Sequence, residues 1–328
     1  MKNHRILSTG TVPLIAADIL GKFGRIEVAP KTDENSLVEL INGSIALLVR
    51  GVTPIPARVI RAGKQLRVIG RTGSGYDNVD IAAATQEGIP VVFTPGASAK
   101  SVAEGTLAMM LALVKRLPEL DHNTRAGEWH VRDTTVIGDL QGAVVGIVGL
   151  GHIGGHVAHL LHNFEARVLG YDPAVSREVA TAMGAELVEM DELLRQSDIV
   201  TLHAPLNAQT HGMINRRTLG LIKRGAILVN LARGGLMESL DVIFDALESG
   251  HLSAVGLDVF PDEPPNISHP IFRHPRVLFT PHALGLSVKG AQAIFEMASR
   301  GMAEVLEGRI PENVVNPEVF KNGAQRVR

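Results

Sequence analysis

From the amino end, short apolar runs alternate with stretches whose apolar residues recur at helical spacing. The runs Arg5–Ser8, Arg25–Val28, Ile45–Val49, Leu66–Ile69 and Pro90–Phe93 predict strands. Between them, helices are expected near Pro13–Lys22, Ser36–Ile41, Pro56–Ala62 and Val79–Glu87. Repeated βα units of this length imply a parallel sheet with helices on both faces. Ser101-x-x-Glu104 then gives a capping-box signature for a helix over Ser101–Arg116. That helix is apolar nearly all round, so it should be buried from several sides, by the rest of the chain and by a partner subunit. Residues 118–142 read as an irregular, polar linker arm holding the only tryptophan, Trp129.

The second half follows the same alternation around one stretch. An apolar run, Ala143–Val148, leads into Gly149-x-Gly151-x-x-Gly154, a helical segment and a second apolar run, Arg167–Tyr171, closed by Asp172. Gly149 suits a tight turn off the strand. Gly151 allows close backbone approach to a pyrophosphate, and Gly154 lets the helix pack on the sheet. The free N–H groups at that helix start would hold the anion. Asp172 is placed to accept from a ribose diol, which favours NAD, since a 2′-phosphate would meet a like charge. The rival is a nucleotide fold binding another adenosyl ligand such as S-adenosylmethionine. Four further strands are expected at Asp198–Leu202, Ala226–Asn230, Ala254–Asp258 and Val277–Thr280, and a last helix near Ser287–Glu307.

Composition narrows the class. The chain has 328 residues, enough for two cores, with 45% hydrophobic and 20% charged residues, which suits a globular protein. A net charge of −2 leaves no basic footprint for nucleic acid or membrane. With no cysteine there is no disulfide, thiolate metal site or thiol nucleophile. The amino end lacks a sustained apolar core and cleavage site, and no apolar run is long enough to span a bilayer. A soluble, cytoplasmic protein is the expectation.

In open parallel sheets ligands bind beyond the carboxyl ends of the strands, so the polar residues there are the candidates. They are Arg50, the Gly73-Ser74-Gly75 turn, His203, Arg233, Asp258 with Glu263, and His282. An arginine, a glutamate and a histidine beside a nicotinamide are what hydride exchange with an α-keto acid needs. One group anchors the carboxylate, one moves a proton and one tunes the proton mover. Singly, each has an ordinary alternative: a structural histidine, a turn glutamate, a surface arginine. The spacings His156/His159 and His159/His162 on a helix facing a sheet are read as structural, and no metal is expected.

With these residues in view, the chain resembles the D-isomer-specific 2-hydroxyacid dehydrogenases, most closely their D-3-phosphoglycerate dehydrogenase branch. The resemblance covers about residues 45–315. It rests on LLVRGVT, VIGRTGSGYDNVD, TPGASAKSVAEGTLAMML, GIVGLGHIG with YDP, LHAPLNAQT, VNLARGG, GLDVFPDEPP and TPHALG. It implies that His282 is the general acid/base, Glu263 its carboxylate partner and Arg233 the group on the substrate's carboxylate and keto oxygens. Substrate would also meet Arg50 and the backbone N–H groups of Ser74 and Gly75. Cofactor contacts would come from Gly149, Gly151, His152, Ile153, Gly154, Asp172, His203, Ala204, Pro205, Leu231, Ala232, Arg233, Asp258 and His282. The implied fold is α/β, with two doubly wound parallel-sheet domains. A flavodoxin-like substrate domain comes from residues 1–100 and 285–328, and a Rossmann NAD-binding domain from 101–284 is inserted in it.

Two segments depart from the family pattern. The run after ARGG is LMESLD, one residue longer than usual, and Ala283-Leu284-Gly285-Leu286 replaces a glycine-rich run after His282. Both border the expected nicotinamide position. The sequence ends at Arg328 without the regulatory domain many phosphoglycerate dehydrogenases carry, so serine feedback through it is not expected. The expected activity is NAD-dependent interconversion of a (D)-2-hydroxy acid and its 2-keto acid, by a homodimer. Candidate substrates are 3-phosphoglycerate-like, or short acids such as glycerate and glyoxylate. The alternative is a non-catalytic NAD(H)-sensing protein like the corepressors of the same fold.

Overall fold

A computed structural model describes residues 4–321. The chain forms two compact units, one built by the chain up to Ser98 and from Ser287 onward, the other by Ala99–Leu286. In the first, five strands make a wholly parallel sheet: β1 Arg5–Ser8, β2 Arg25–Val28, β3 Ser44–Arg50, β4 Val68–Thr72 and β5 Val91–Val92. Their order is β2-β1-β3-β4-β5, so the winding reverses between β1 and β3. β3 is buried from Ser44 to Val49, as a strand covered on both faces must be, and meets solvent at Arg50. Leu47, Val49 and Ile69 face one helical layer. Ile6, Leu48 and Val68 face the other, where the helix Val288–Leu306 brings Phe295, Ala298, Met302 and Val305. The returning segment also bridges Val314 to Val92, and the Asn316 side chain accepts from the Val91 N–H at 2.8 Å.

The second unit is a seven-stranded parallel sheet. Its strands are β6 Val144–Val148, β7 Arg167–Tyr171, β8 Glu186–Leu187, β9 Ile199–Leu202, β10 Ala226–Asn230, β11 Leu252–Leu257 and β12 Val277–Phe279. The order β12-β11-β10-β9-β6-β7-β8 reverses between β6 and β9, which opens a crevice beyond their carboxyl ends. Central residues such as Ile147, Val200, Leu228 and Val255 are fully buried. Burying a side chain of that size stabilises by about 1.5–3 kcal/mol.

Several expectations shift. β4 starts and ends later than its apolar run, because Gly70, Arg71 and Thr72 continue the ladder to β3. Arg71 is only 6% exposed there, its guanidinium donating to the Thr72 and Gly51 carbonyls. The long helix begins at Ala99, so Ser101 and Glu104 lie inside it and form no capping box. Its apolar surround is taken up within its own unit: Ala103, Leu107, Met109, Met110 and Leu113 are buried beside residues of the His152–His162 helix and of β10 and β11. Ala108 on the same helix stays exposed, and Val102, Leu111 and Ala112 are half-buried. The arm is not irregular. It contains the helices Leu117–Arg125, with Pro118 in its first turn, and Val131–Thr134. Leu117, Trp129, Val136 and Ile137 on it are exposed. No helix among the described residues is long and apolar enough to cross a membrane.

Candidate functional site

The crevice at the β6/β9 reversal brings together residues far apart in sequence. Gly149 leaves β6 with φ 95°, a left-handed conformation that suits glycine. A Cβ there would stand 2.7 Å from the Ala204 nitrogen and the His203 carbonyl carbon, which leave β9. A Cβ on Gly154 would stand 1.9 Å from the Gly149 oxygen, so the turn and the helix His152–His162 close on each other. Gly151 is different: a Cβ there would meet nothing within 4 Å, so its backbone borders open space. Among the described residues no side chain caps that helix, and the first N–H groups of a helix, lacking intrahelical partners, can take an anion. At the end of β7 the Asp172 carboxylate accepts from the Leu150 N–H and the Ala174 N–H, each at 2.9 Å. Those two bonds fix its direction and leave lone pairs for a diol. These residues fit a dinucleotide with a free 2′-hydroxyl.

His203 also follows β9. Its Nε2 lies 3.0 Å from the Thr201 hydroxyl, and its Nδ1 is buried with no hydrogen-bond partner among the described residues. The residue keeps an exposed edge, but burial of the ring pushes its pKa down to about 3. A ring that is neutral at ordinary pH cannot serve as a proton-donating imidazolium.

The second cluster lies after β10, β11 and β12. The Asn230 side chain accepts from the Ala232 N–H and donates to the Arg233 carbonyl, shaping the turn that carries Arg233. Leu231 is buried, and Ala232 and Arg233 are half-buried. Gly234 packs against the Phe260 and Pro261 backbone, which sets the Arg233 turn on the loop that carries Glu263. His282 Nδ1 is 2.8 Å from Glu263 Oε2, and Glu263 Oε1 accepts from the Phe260 N–H at 3.1 Å. Burial alone would raise the Glu263 carboxyl. The His282 ring bonded to it, the Phe260 N–H and the Arg233 charge outweigh that and hold it below the ordinary carboxylate value. Arg233, Glu263 and His282 are thus one cluster, with a bonded imidazole–carboxylate pair and a cation whose field the carboxylate feels.

The sign of that shift gives a testable consequence. A depressed folded-state pKa contributes stability that is complete above the unfolded carboxyl value, about 4.3, and is lost as pH falls through the folded value. Glu263→Gln should therefore melt below the unsubstituted protein at neutral pH, with the gap closing under about pH 4. Melting curves across pH check it; a gap independent of pH would contradict the shift.

The remaining sequence candidates are in the first unit. Arg50, at the end of β3, donates to the carbonyl and hydroxyl oxygens of Thr11 beside the β1/β3 reversal, with its guanidinium carbon 5.8 Å from the Phe295 ring centre. The Ser74 hydroxyl donates to the Thr94 carbonyl at 3.1 Å and thereby shapes the turn containing Gly75. The two departures are absorbed by packing. Leu236 and Met237 are buried, Ser239 caps the helix Leu240–Glu248, and Leu284 fills the space left by Gly105. What sequence reading missed is the convergence of Thr280 and Ala283 on Asp258. The hydroxyl of Thr280, directly before Pro281 and His282, was its one available signal.

Comparison with known proteins gives the family. Residues 107–283 match the family described as D-isomer specific 2-hydroxyacid dehydrogenase, NAD binding domain. The chain is 39% identical to D-3-phosphoglycerate dehydrogenase of Methanocaldococcus jannaschii over 95% of its own length and 59% of that protein's. It spans about three fifths of the phosphoglycerate dehydrogenases it matches. Against glyoxylate reductase of Aeropyrum pernix the identity is 33%, over 98% of both chains. The solved TT0316 protein from Thermus thermophilus superposes with a TM-score of 0.87 at 35% identity, covering 95% of this chain and 99% of that one. The chain belongs to the D-isomer-specific 2-hydroxyacid dehydrogenase family, and its residues 107–283 are the family's NAD-binding domain.

Proposed function

We propose that this protein is an NAD-dependent oxidoreductase that interconverts a (D)-2-hydroxy acid and its 2-keto acid. The observation that carries the reading is the His282–Glu263 bond in a cluster with Arg233. When bound, the nicotinamide supplies the hydride acceptor for oxidation and the donor for reduction. Arg233 binds the substrate carboxylate and draws electron density toward the keto oxygen. In reduction, His282 gives a proton from Nε2 to that oxygen as the keto carbon gains a hydride. In oxidation Nε2 takes the proton back. Glu263 holds the ring through Nδ1 and stabilises its charged form.

The cofactor contacts we assign are Gly149, Gly151, His152, Ile153, Gly154, Asp172, the His203–Pro205 and Leu231–Arg233 turns, Asp258 and His282. The fixed Asp172 carboxylate should make NAD the preferred form, and Asp172→Ala should narrow its advantage over NADP. Equal catalytic efficiency with both cofactors in the unsubstituted protein would refute this. In the first unit we assign Arg50 and the Ser74 and Gly75 N–H groups to the substrate. The pinning of Arg50 by Thr11 and Phe295 suits an anionic substituent such as a phosphate. Glyoxylate and hydroxypyruvate, which lack one, are the competing substrates.

NADH oxidation measured with glyoxylate, hydroxypyruvate and 3-phosphohydroxypyruvate tests the reading. NADH binding with no turnover on any 2-keto acid would leave the corepressor-like sensor in its place. We also propose a homodimer, held through the exposed Leu117, Trp129, Val136 and Ile137 of the arm. Light scattering that gave the monomer mass at micromolar concentration would remove that part of the proposal.

A further inference from the structure

The backbone of His282 is left-handed, with φ 52°. A residue with a Cβ keeps that conformation only where its surroundings over-determine it. What surrounds it here is Asp258. β11 and β12 are adjacent and parallel, with Leu257 opposite Phe279, so the segments that follow them emerge side by side. The Thr280 N–H donates to the Leu257 carbonyl at 3.0 Å, and the His282 N–H to the Asp258 carbonyl at 2.7 Å. Asp258 is 3% exposed, and its Oδ1 accepts from both the Thr280 hydroxyl at 2.6 Å and the Ala283 N–H at 2.9 Å. His282 is therefore bracketed, one donor before it and one after it ending on the same carboxylate oxygen.

We propose that Asp258 is a positioning residue for His282, acting through Oδ1 and the Thr280 hydroxyl; the inference rests on the proposed role of His282. The bracket sets the direction of the His282 Cα–Cβ bond. That direction brings Nδ1 to Glu263 and leaves Nε2 with no hydrogen bond among the described residues, hence open to a substrate oxygen. Thr280 has no part in the role assigned to Asp258 at the nicotinamide, so the two roles are separable. Thr280 is the means of separating them, because its hydroxyl is committed to Oδ1.

The test compares Thr280→Val, which keeps the shape and removes the donor, with Thr280→Ser, which restores it. Thr280→Val should lower kcat about tenfold, with KM for the keto acid and NADH affinity nearly unchanged, since a small misplacement of a reacting group is costly. Thr280→Ser should recover most of the loss. In 15N NMR spectra of histidine-labelled protein, assigned against His282→Ala, the His282 ring signals should move in the Val variant and return in the Ser variant. Unmoved ring signals in Thr280→Val would overturn the proposal, as would loss of NADH affinity with kcat preserved. If the unsubstituted protein turned over no keto acid, the proposed activity would fail, and the ring signals alone would still decide whether Asp258 positions His282.

Discussion

Replacing His282 with alanine should lower turnover about a hundredfold or more while leaving NADH affinity nearly intact. The size follows from what a positioned acid/base group contributes to proton transfer. His203, which leaves β9 in the same crevice, cannot substitute as an imidazolium, because burial holds its ring neutral. Affinity falls little because the variant removes one of the assigned contacts, while the pyrophosphate and ribose contacts assigned to Gly149–Gly154 and Asp172 lie at β6 and β7, away from the β12 end. Single-turnover rates and NADH fluorescence titration separate the two quantities. Near-normal turnover in the variant would mean that some other group carries the proton.

A comparable loss is expected from Gly234→Ala, a change of one methyl group. The new Cβ would lie 1.9 Å from the Phe260 carbonyl carbon and 2.3 Å from the Pro261 nitrogen. Both are backbone atoms, so no rotamer change relieves the overlap and one loop must move. The Arg233 turn and the Glu263 loop then separate, and displacement of about 1 Å between reacting groups can cost about a hundredfold in rate. Overpacking should also lower stability by about 1–3 kcal/mol. Gly235→Ala is the control: its Cβ meets the flexible Leu206 side chain at 3.0–3.2 Å, which can yield. The ratio of kcat values for the two alanine variants checks the argument. If Gly234→Ala were no worse than Gly235→Ala, the packing of these loops would not be what aligns the cluster.

Much of the fold was legible because its strands are short apolar runs bounded by turn residues. β7 and β10 occupy the expected spans, Arg167–Tyr171 and Ala226–Asn230. β4 was misjudged because its carboxyl end is polar, and a buried arginine satisfied by carbonyls has no apolar signature. The arm was misjudged because its helices bury no residue within the chain, so no apolar stripe marks them. Pro118 and the Asp121–Arg125 pair were the weak local signals available. Residues at strand ends could be enumerated from sequence, but sheet order is not chain order. That His203 lies under Gly149, and Gly234 against Phe260, follows only from which strands are neighbours. The surround of the Ala99–Val114 helix shows the same limit: sequence says that it is covered, not by what.

The split make-up of the first unit bears on how the chain acquires its fold during synthesis. Residues up to Ser98 leave the ribosome first, yet Ile6, Ala46, Leu48 and Val68 wait for Phe295, Ala298, Met302 and Val305 to cover them. The Ala99–Leu286 unit is contiguous and can close its core as soon as β12 has emerged. The later-made unit can thus complete before the earlier one, one of whose sheet faces has Ala16 and Leu20 of the helix Leu14–Leu20 on it but lacks the rest of its cover until the helix Val288–Leu306 is made. Transiently exposed apolar surface favours aggregation, so that face is at risk until the helix Val288–Leu306 arrives.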